Sequence, residues 1–593
     1  MKFPYGVSDF YQVITENYFY LDRTDRIGAI EEAGKQLLFL RPRRFGKSLL
    51  LSMLENYYDI AKASEFERLF GHLSIGKAPT LLHNQYLVLK WDLAVVDSFG
   101  KPEQVKQTLH RYVNSRIQDF AVKYRHLLPV EIQIEPVDAI VSFQSLLTAV
   151  QQTPHRIYLL IDEYDNFANE MMMGSRETSQ ERYESLLYGE GSLKTLFKAV
   201  KSAGTGMGLD RAFIAGVSPV VLSDITSGYN IAENIYLRPD FNDLCGFCES
   251  EIADTLRQIA ADCGFSAAQA DEALMMMRTF YNGYRFSERA KELVYNPTLA
   301  LYFMKFFQRE CRYPSEMLDS NLAMDRGKIA YISRLPGGGQ LILDAVNQAP
   351  PISIPRLARR FGVEDVLYAR KDTRFMASLL YYFGVLTMGD RSPFGKLFLH
   401  IPNMVVRRLY AERIREMLLP DVTRDAAERA TELLYSVGDM QPLCDFVEQH
   451  YFKVFDNRDY RWANELTIKT AFLTLLFNDV LYMVDSEAAL ERGYADLVLI
   501  LRPEARQYQL LDILIEFKYV GLKKVGLGRE KVRKMSLDEL MALGGVQEKL
   551  DQAAAQLENY RRCLKTRYGE RLRLRAFTVI ALGFERLVWQ EIP

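Results

Sequence analysis

A short apolar strand, Gln36 to Leu40, runs directly into Arg41-Pro42-Arg43-Arg44-Phe45-Gly46-Lys47-Ser48, and the stretch from Ser48 to Tyr58 carries Leu49, Leu50, Met53 and Leu54 on one helical side. That order of strand, loop and helix restricts the chain to an α/β arrangement. Backbone N–H groups converge on phosphate oxygens only when the loop is held at a helix N-terminus. Gly46, Lys47 and Ser48 end the pattern G-x-x-x-x-G-K-[ST], in which the lysine reaches the terminal phosphates and the hydroxyl meets Mg²⁺. Arg43, Arg44 and Phe45 complete the nucleotide-binding candidates. Arg41 stands where the first glycine is usual, so a residue with a Cβ must take up the turn there.

Further strands fit the same sheet. Tyr86 to Trp91, Ile157 to Ile161 and Arg211 to Gly216 alternate with helical stretches, and the second is a continuous apolar run suited to burial on both faces. Alternation of this kind predicts a mainly parallel sheet. The run at Ile161 continues Asp162-Glu163-Tyr164-Asp165, which places acids at the carboxyl edge. Asp162 is the candidate for holding Mg²⁺ and Glu163 for polarising the attacking water. Ser218, in Gly216-Val217-Ser218-Pro219, offers a hydroxyl where a γ-phosphate could be sensed. Arg238 and Arg285 are candidate charge stabilisers, with structural ion pairing as the alternative for each.

A second constellation lies near the C-terminus. Asp496 ends Gly493-Tyr494-Ala495-Asp496, and an apolar strand finishes Ile515-Glu516-Phe517-Lys518. Glu516 and Lys518 project from one face of their strand, with Phe517 toward the opposite apolar layer. Two carboxylates and a lysine suit a metal-dependent phosphodiester hydrolase: Asp496 and Glu516 as hard oxygen ligands, Lys518 to orient water or stabilise developing charge. The polar turn Arg502-Pro503-Glu504-Ala505-Arg506 would return the two acids to each other on paired strands. Glu465, on a preceding helix, is a further acid. Gln552, or Gln556, on a later helix that also presents Tyr560, is the candidate glutamine. A structural salt bridge is the plain alternative for this pattern.

At 593 residues the chain exceeds one hydrophobic core, and its 48% hydrophobic and 25% charged content is that of a soluble globular protein. No run of about 18 uncharged apolar residues predicts a membrane span, and the first residues lack the apolar core of a secretory signal, so a cytoplasmic location is expected. A net charge of −2 leaves nucleic-acid binding to local patches. One follows the Glu516 strand (Lys518, Lys523, Lys524, Arg529, Lys531, Arg533, Lys534). Another runs from Arg561 through Arg562, Lys565, Arg567, Arg571 and Arg573 to Arg575. Solvated helix faces are the alternative for both. Six scattered cysteines, with one CxxC at Cys245 and Cys248, read as buried thiols. Seven scattered histidines build no metal cluster.

The segments Phe3-Pro4-Tyr5-Gly6-Val7-Ser8-Asp9-Phe10, Tyr20-Leu21-Asp22-Arg23-Thr24 and Leu40 to Ser48 resemble the bacterial "AAA-ATPase-like" family. Ile161 to Asp165, Leu244-Cys245-Gly246-Phe247 and Tyr281-Asn282-Gly283-Tyr284-Arg285-Phe286 continue the likeness. In that family the loop also reads R-P-R-R-F-G-K-S, which makes Arg41 ordinary there. Members commonly carry a C-terminal PD-(D/E)XK nuclease-like domain, which agrees with the tail here.

The expected fold is α/β: a P-loop NTPase core with a mainly parallel sheet (1–245), a helical lid (246–335), a middle winged-helix-like module (336–425) and a restriction-endonuclease-like α/β domain (426–593). Leu379 to Met388 and Leu397 to Ile401 read as strands of the middle module, after breaks at Pro336-Gly337-Gly338-Gly339 and Ala349-Pro350-Pro351. Taken with the resemblance, this leads to an ATP-hydrolysing protein in which the lid controls a Mg²⁺-dependent nuclease, Mn²⁺ being an alternative ion, that acts on DNA in defence against mobile elements. The alternatives are a nucleotide-dependent binding or signalling switch whose nuclease fold no longer cuts, with Arg356, Arg359 and Arg360 serving DNA, and an RNA-directed nuclease. A homo-oligomer follows if an arginine finger acts in trans.

Overall fold

The computed structural model describes residues 1–97, 101–166, 191–220, 231–318, 326–347, 351–359, 361, 371–419, 424–455, 465–485, 488–490 and 493–592. Arg360, Ala349 and Pro350 lie outside them. The chain divides into two compact units. One comprises Met1–Arg312, Arg334–Gly338 and Ser353–Pro402; the other Tyr313–Ser333, Gly339–Ile352 and Asn403–Pro593. The Pro336–Gly339 break therefore coincides with a passage between units.

The first unit is built on β1 (Gln36–Leu40), β2 (Tyr86–Asp92), β3 (Arg156–Asp162), β4 (Leu209–Gly216) and β5 (Glu233–Asn234), in the order β2-β3-β4-β1-β5. Every pairing is parallel. All of β1 and all of β3 after Arg156 are buried, as apolar runs in a covered parallel sheet must be. β4 separates the loop strand from the acidic strand, and its last residue allows the close approach. A Cβ on Gly216 would meet the Tyr164 ring at 2.4 Å and Asp165 Oδ1 at 2.6 Å.

Helices Glu249–Asp262, Ala267–Tyr281 and Pro297–Glu310 form the predicted helical region. Asn296 caps the last of them, and Thr298 in its first turn donates its hydroxyl to the Arg44 carbonyl at 2.9 Å, so this helix starts on the phosphate loop. Arg23 ties the N-terminal segment to the first of them, pairing with Glu251 at 2.6 Å and donating to the Asp243 and Gly246 carbonyls. Cys263 and Cys311, just past the ends of the first and third helices, form a disulfide with Cα atoms 5.5 Å apart. This overturns the expectation of free thiols for these two. Their 48-residue separation carries no pairing signal, and only helix packing brings them together. Closing a loop of this length contributes about 2–4 kcal/mol. A dithiol reductant is therefore expected to lower the thermal midpoint of the wild-type chain and leave a Cys263→Ser/Cys311→Ser variant unchanged, as calorimetry would show.

The strand expected over Leu379 to Met388 is corrected: Thr373–Tyr382 is a helix capped by Asp372, ended by Gly384 at φ +78°, and only then does β7 (Thr387–Arg391) begin. A short apolar run buried on every side has no period to separate strand from helix. β7 pairs antiparallel with β8 (Leu397–His400), which also neighbours β6 (Ile352–Ile354).

The second unit carries β9 (Tyr482–Asp485), a small β10 (Ala488–Leu490) and β11 (Gly493–Ala495) pair, β12 (Leu497–Leu501), β13 (Asp512–Val520), β14 (Leu574–Leu582) and β15 (Arg586–Ile592). The main sheet runs β15-β14-β13-β12-β9, mixed, with β13 and β14 parallel. Helix Gly544–Tyr568 covers one face through Val546, Leu550, Ala553 and Leu557. Helix Glu465–Leu476 meets the sheet where Phe472 packs on Phe517 at 5.1 Å between centroids. No described helix is long and apolar enough to cross a membrane.

Candidate functional site

In the first unit the loop between β1 and helix Lys47–Tyr58 depends on Gly46 at φ +87°, where no Cβ would clash but an L residue would be strained. Arg44 is left-handed too, at φ 68°, as is Glu163 at φ 49°. Non-glycine residues in this region cost about 1–3 kcal/mol each and collect at functional sites.

Ser48 Oγ donates to Asp162 Oδ2 at 2.6 Å, which brings the hydroxyl and acid predicted to share Mg²⁺ into contact. Lys47 Nζ lies 3.4 Å from Glu163 Oε1 and 3.3 Å from the Pro42 carbonyl. Arg43 donates to Asn166 Oδ1 at 3.2 Å. Burial raises the Asp162 pKa, with the Ser48 hydrogen bond opposing. A cavity of about 290 Å³ opens beside the loop, where Lys47, Ser48 and Glu163 meet an apolar wall that includes Pro4, Phe19, Phe247 and Leu301. Phosphate-binding and apolar linings side by side suit a nucleotide.

Three candidates are engaged elsewhere. Ser218 is fully buried, and its hydroxyl and backbone N–H both donate to Asp165, at 2.8 and 2.7 Å, so it ties the ends of β3 and β4. Arg285 pairs with Asp390 at 2.8 Å and donates to the Ser287 and Glu288 carbonyls. Arg238 pairs with Glu233 and Asp240.

Arg41 is 1% exposed, and its guanidinium donates to the Leu40, Tyr236 and Phe241 carbonyls between the Phe39 and Phe286 rings. Its cation holds the loop's base to the β5 side. Burial draws its pKa down to about 10, still a cation at neutral pH.

In the second unit β12 and β13 pair with Leu497 opposite Ile515, which sets Asp496 beside Glu516. The register is held at the other end by buried Asp512, which accepts from the Leu501 and Arg573 N–H groups and from Arg506. Asp496 Oδ2 accepts the Phe517 N–H at 2.8 Å. Lys518 Nζ lies 2.7 Å from Glu516 Oε1 and 3.7 Å from Glu465 Oε1. Glu516 is 2% exposed, and its Oε2 is buried without a hydrogen-bond partner. That unsatisfied oxygen next to a second carboxylate fits a hard cation. Lys469, one turn beyond Glu465, was not among the sequence candidates and lies 3.9 Å from Asp496 Oδ1. The i, i+4 spacing from Glu465 was its only sequence signal. Gln552 is exposed and bonds Lys549 and Glu548 on its own helix; Gln556 is also exposed, and Tyr560 is buried.

Burial, and then the Asp496 charge, push the Glu516 carboxyl up to about 7. Burial opposes the Lys518 cation, but the Glu516 charge and hydrogen bond outweigh it and raise its pKa. A cation binds the deprotonated carboxyl, so Mn²⁺ affinity at this site is expected to rise as pH passes upward through about 7. Metal titrations followed by electron paramagnetic resonance at several pH values check this. Stability moves oppositely: the raised folded pKa favours the fold at low pH, and that contribution is lost as pH rises through about 7.

The basic patches are partly neutralised. Arg529 and Arg533 pair with Glu585, Lys524 with Glu548 and Arg575 with Glu591, while Arg573 donates to the Tyr508 and Arg506 carbonyls. Arg356 and Arg359 are exposed.

Residues 4–226 match the model for a predicted AAA-ATPase, and residues 463–591 match one for the PD-(D/E)XK nuclease superfamily. The chain joins a predicted AAA-ATPase domain to a PD-(D/E)XK nuclease-superfamily domain. The ATPase domain contains the whole loop and Asp162–Glu163, and the nuclease-superfamily domain contains Glu465, Asp496, Glu516 and Lys518. Over 447 residues, 74% of each chain, the protein is 24% identical to an uncharacterized protein in the vnfD 5' region of Azotobacter chroococcum mcd 1. Among solved structures, the Aeropyrum pernix ORC1 protein in complex with DNA aligns at 13% identity and a TM-score of 0.26, over 69% of this chain and 98% of that one. Aeropyrum pernix ORC2, as ADPNP–ADP complexes, aligns at 12% and 0.25, over 68% and 98%. Scores this low carry no argument, so the α/β class of both units rests on strand order and the family matches.

Proposed function

We propose that this chain binds and hydrolyses ATP and thereby controls a Mg²⁺-dependent nuclease acting on DNA. The observation that carries the reading is the Asp496–Glu516–Lys518 cluster on two paired strands, in a chain whose phosphate loop is also formed. Lys47 and the loop N–H groups bind the phosphates. Ser48 and Asp162 are the residues that would hold Mg²⁺ there, and Glu163 polarises the attacking water. In the nuclease-superfamily domain Asp496 and Glu516 would hold the divalent ion, which supplies charge stabilisation and an acidified water. The Lys518 ammonium would meet the charge growing on the attacked phosphate, and Glu465 lies 3.7 Å from it on the helix side. Defence against mobile elements is the role such a pairing suits.

The test is cleavage of plasmid and linear DNA by the purified full chain with Mg²⁺ or Mn²⁺, with and without ATP. Wild type should cut, Glu516→Ala should not, and Lys47→Ala should alter the response to ATP. ATP binding without cleavage of DNA or RNA would replace this reading with a nucleotide-dependent binding switch, and cleavage of RNA alone would reassign the substrate.

A further inference from the structure

Among the described residues, each carboxylate of the second-unit site faces an ammonium group before any cation enters. Lys518 faces Glu516 and Glu465, at 2.7 and 3.7 Å, and Lys469 faces Asp496 at 3.9 Å. Burial raises the Glu465 pKa, and the charges of Lys518 and of Lys549, from the covering helix, oppose it. Among the described residues, three carboxylates thus stand against three ammonium groups. Lys469 is 1% exposed, so its charge is held inside the protein rather than spread into solvent. Among the described residues no three Asp, Glu, His or Cys side chains come close enough together to hold an ion. Glu516 Oε2 nevertheless has no hydrogen-bond partner and neighbours Asp496 across the strand pair. Two carboxylates are ligands enough for one ion whose coordination is completed by water and phosphate oxygens, as Mg²⁺ prefers.

We propose that this site takes a single divalent cation, held by Asp496 and Glu516, and that the Lys469 ammonium fills the charge role a second metal has in two-metal phosphodiesterases. The inference rests on the nuclease reading above. In two-metal sites both ions share acidic ligands and flank the attacked phosphate. Here a second ion would meet an ammonium already set against the acid it needs. Lys469 is therefore a positioning residue: it acts through Asp496, neutralising it and limiting the site to one ion.

The test is a Mn²⁺ titration of the full chain without nucleotide, by electron paramagnetic resonance and calorimetry, with Glu516→Ala as the reference for ions bound elsewhere. Wild type should bind one Glu516-dependent ion. Lys469→Met should bind two, or bind the first at least tenfold more tightly, while Lys469→Arg, which keeps the charge, should again bind one. Two Glu516-dependent ions in wild type would overturn the inference and leave the nuclease reading standing. So would a folded Lys469→Met chain with unchanged stoichiometry and affinity. If Lys469→Met does not fold, the wild-type stoichiometry and the Lys469→Arg titration decide. No Glu516-dependent ion in wild type would remove the nuclease reading and this inference together.

Discussion

Glu516→Ala is expected to abolish metal-dependent cleavage and Lys518→Ala to slow it by about 10²–10³-fold, the range seen when one preorganised charge stabiliser is removed. The two substitutions differ in their effect on the fold. Removing Lys518 leaves the Glu516 carboxylate buried with no opposite charge on Oε1, whereas removing Glu516 leaves Lys518 the Glu465 carboxylate at 3.7 Å. The lysine variant should therefore lose more stability than the glutamate variant while retaining more activity. Single-turnover cleavage beside chemical denaturation separates the two effects. Equal rates in both variants and wild type would mean that the pair is a structural ion pair.

The second large effect lies at Arg41. Restoring the usual glycine by Arg41→Gly is expected to destabilise the ATPase domain by about 2–5 kcal/mol rather than improve its loop. Three backbone carbonyls, from Leu40, Tyr236 and Phe241, accept from this one guanidinium, and two aromatic rings enclose it. Loss of the side chain takes a donor from each of these carbonyls, of which that of Phe241 keeps the Leu244 N–H at 3.4 Å, and leaves a void between the rings. Arg41→Lys cannot reach three acceptors with one ammonium and should recover only part of the loss. The lowest-temperature unfolding transition in calorimetry, with and without ATP, measures both. An Arg41→Gly chain as stable as wild type would show that the carbonyls find other donors.

Much of the architecture could be read along the chain because its signals are local. The loop from Arg41 to Ser48 needs its strand and helix immediately beside it, and the covered strands at Ile157 and Leu497 show as unbroken apolar runs. Asp496 and Glu516 are separated by a turn short enough to predict their return, and the strand register brings them together. Where the signal was not local, reading stopped. The helix Thr373–Tyr382 passed for a strand, since burial on all sides erases periodicity. Ser218 looked like a sensor from its place at a strand end, yet its hydroxyl is taken by Asp165, which lies on a different strand connection. Gln552 matched a superfamily position by type, whereas the covering helix turns it to solvent.

By itself the sequence determined the α/β class, the position of the phosphate loop, the acids after β3 and the carboxylate–lysine strand, because each depends on spacing along one element or across one turn. Only the tertiary structure decided the buried role of Arg41, the Cys263–Cys311 disulfide and the approach of Lys469 to Asp496. Each of these joins segments far apart in the chain. Their distances follow from how helices settle on the sheets, and packing of that kind leaves no periodic trace in the order of residues.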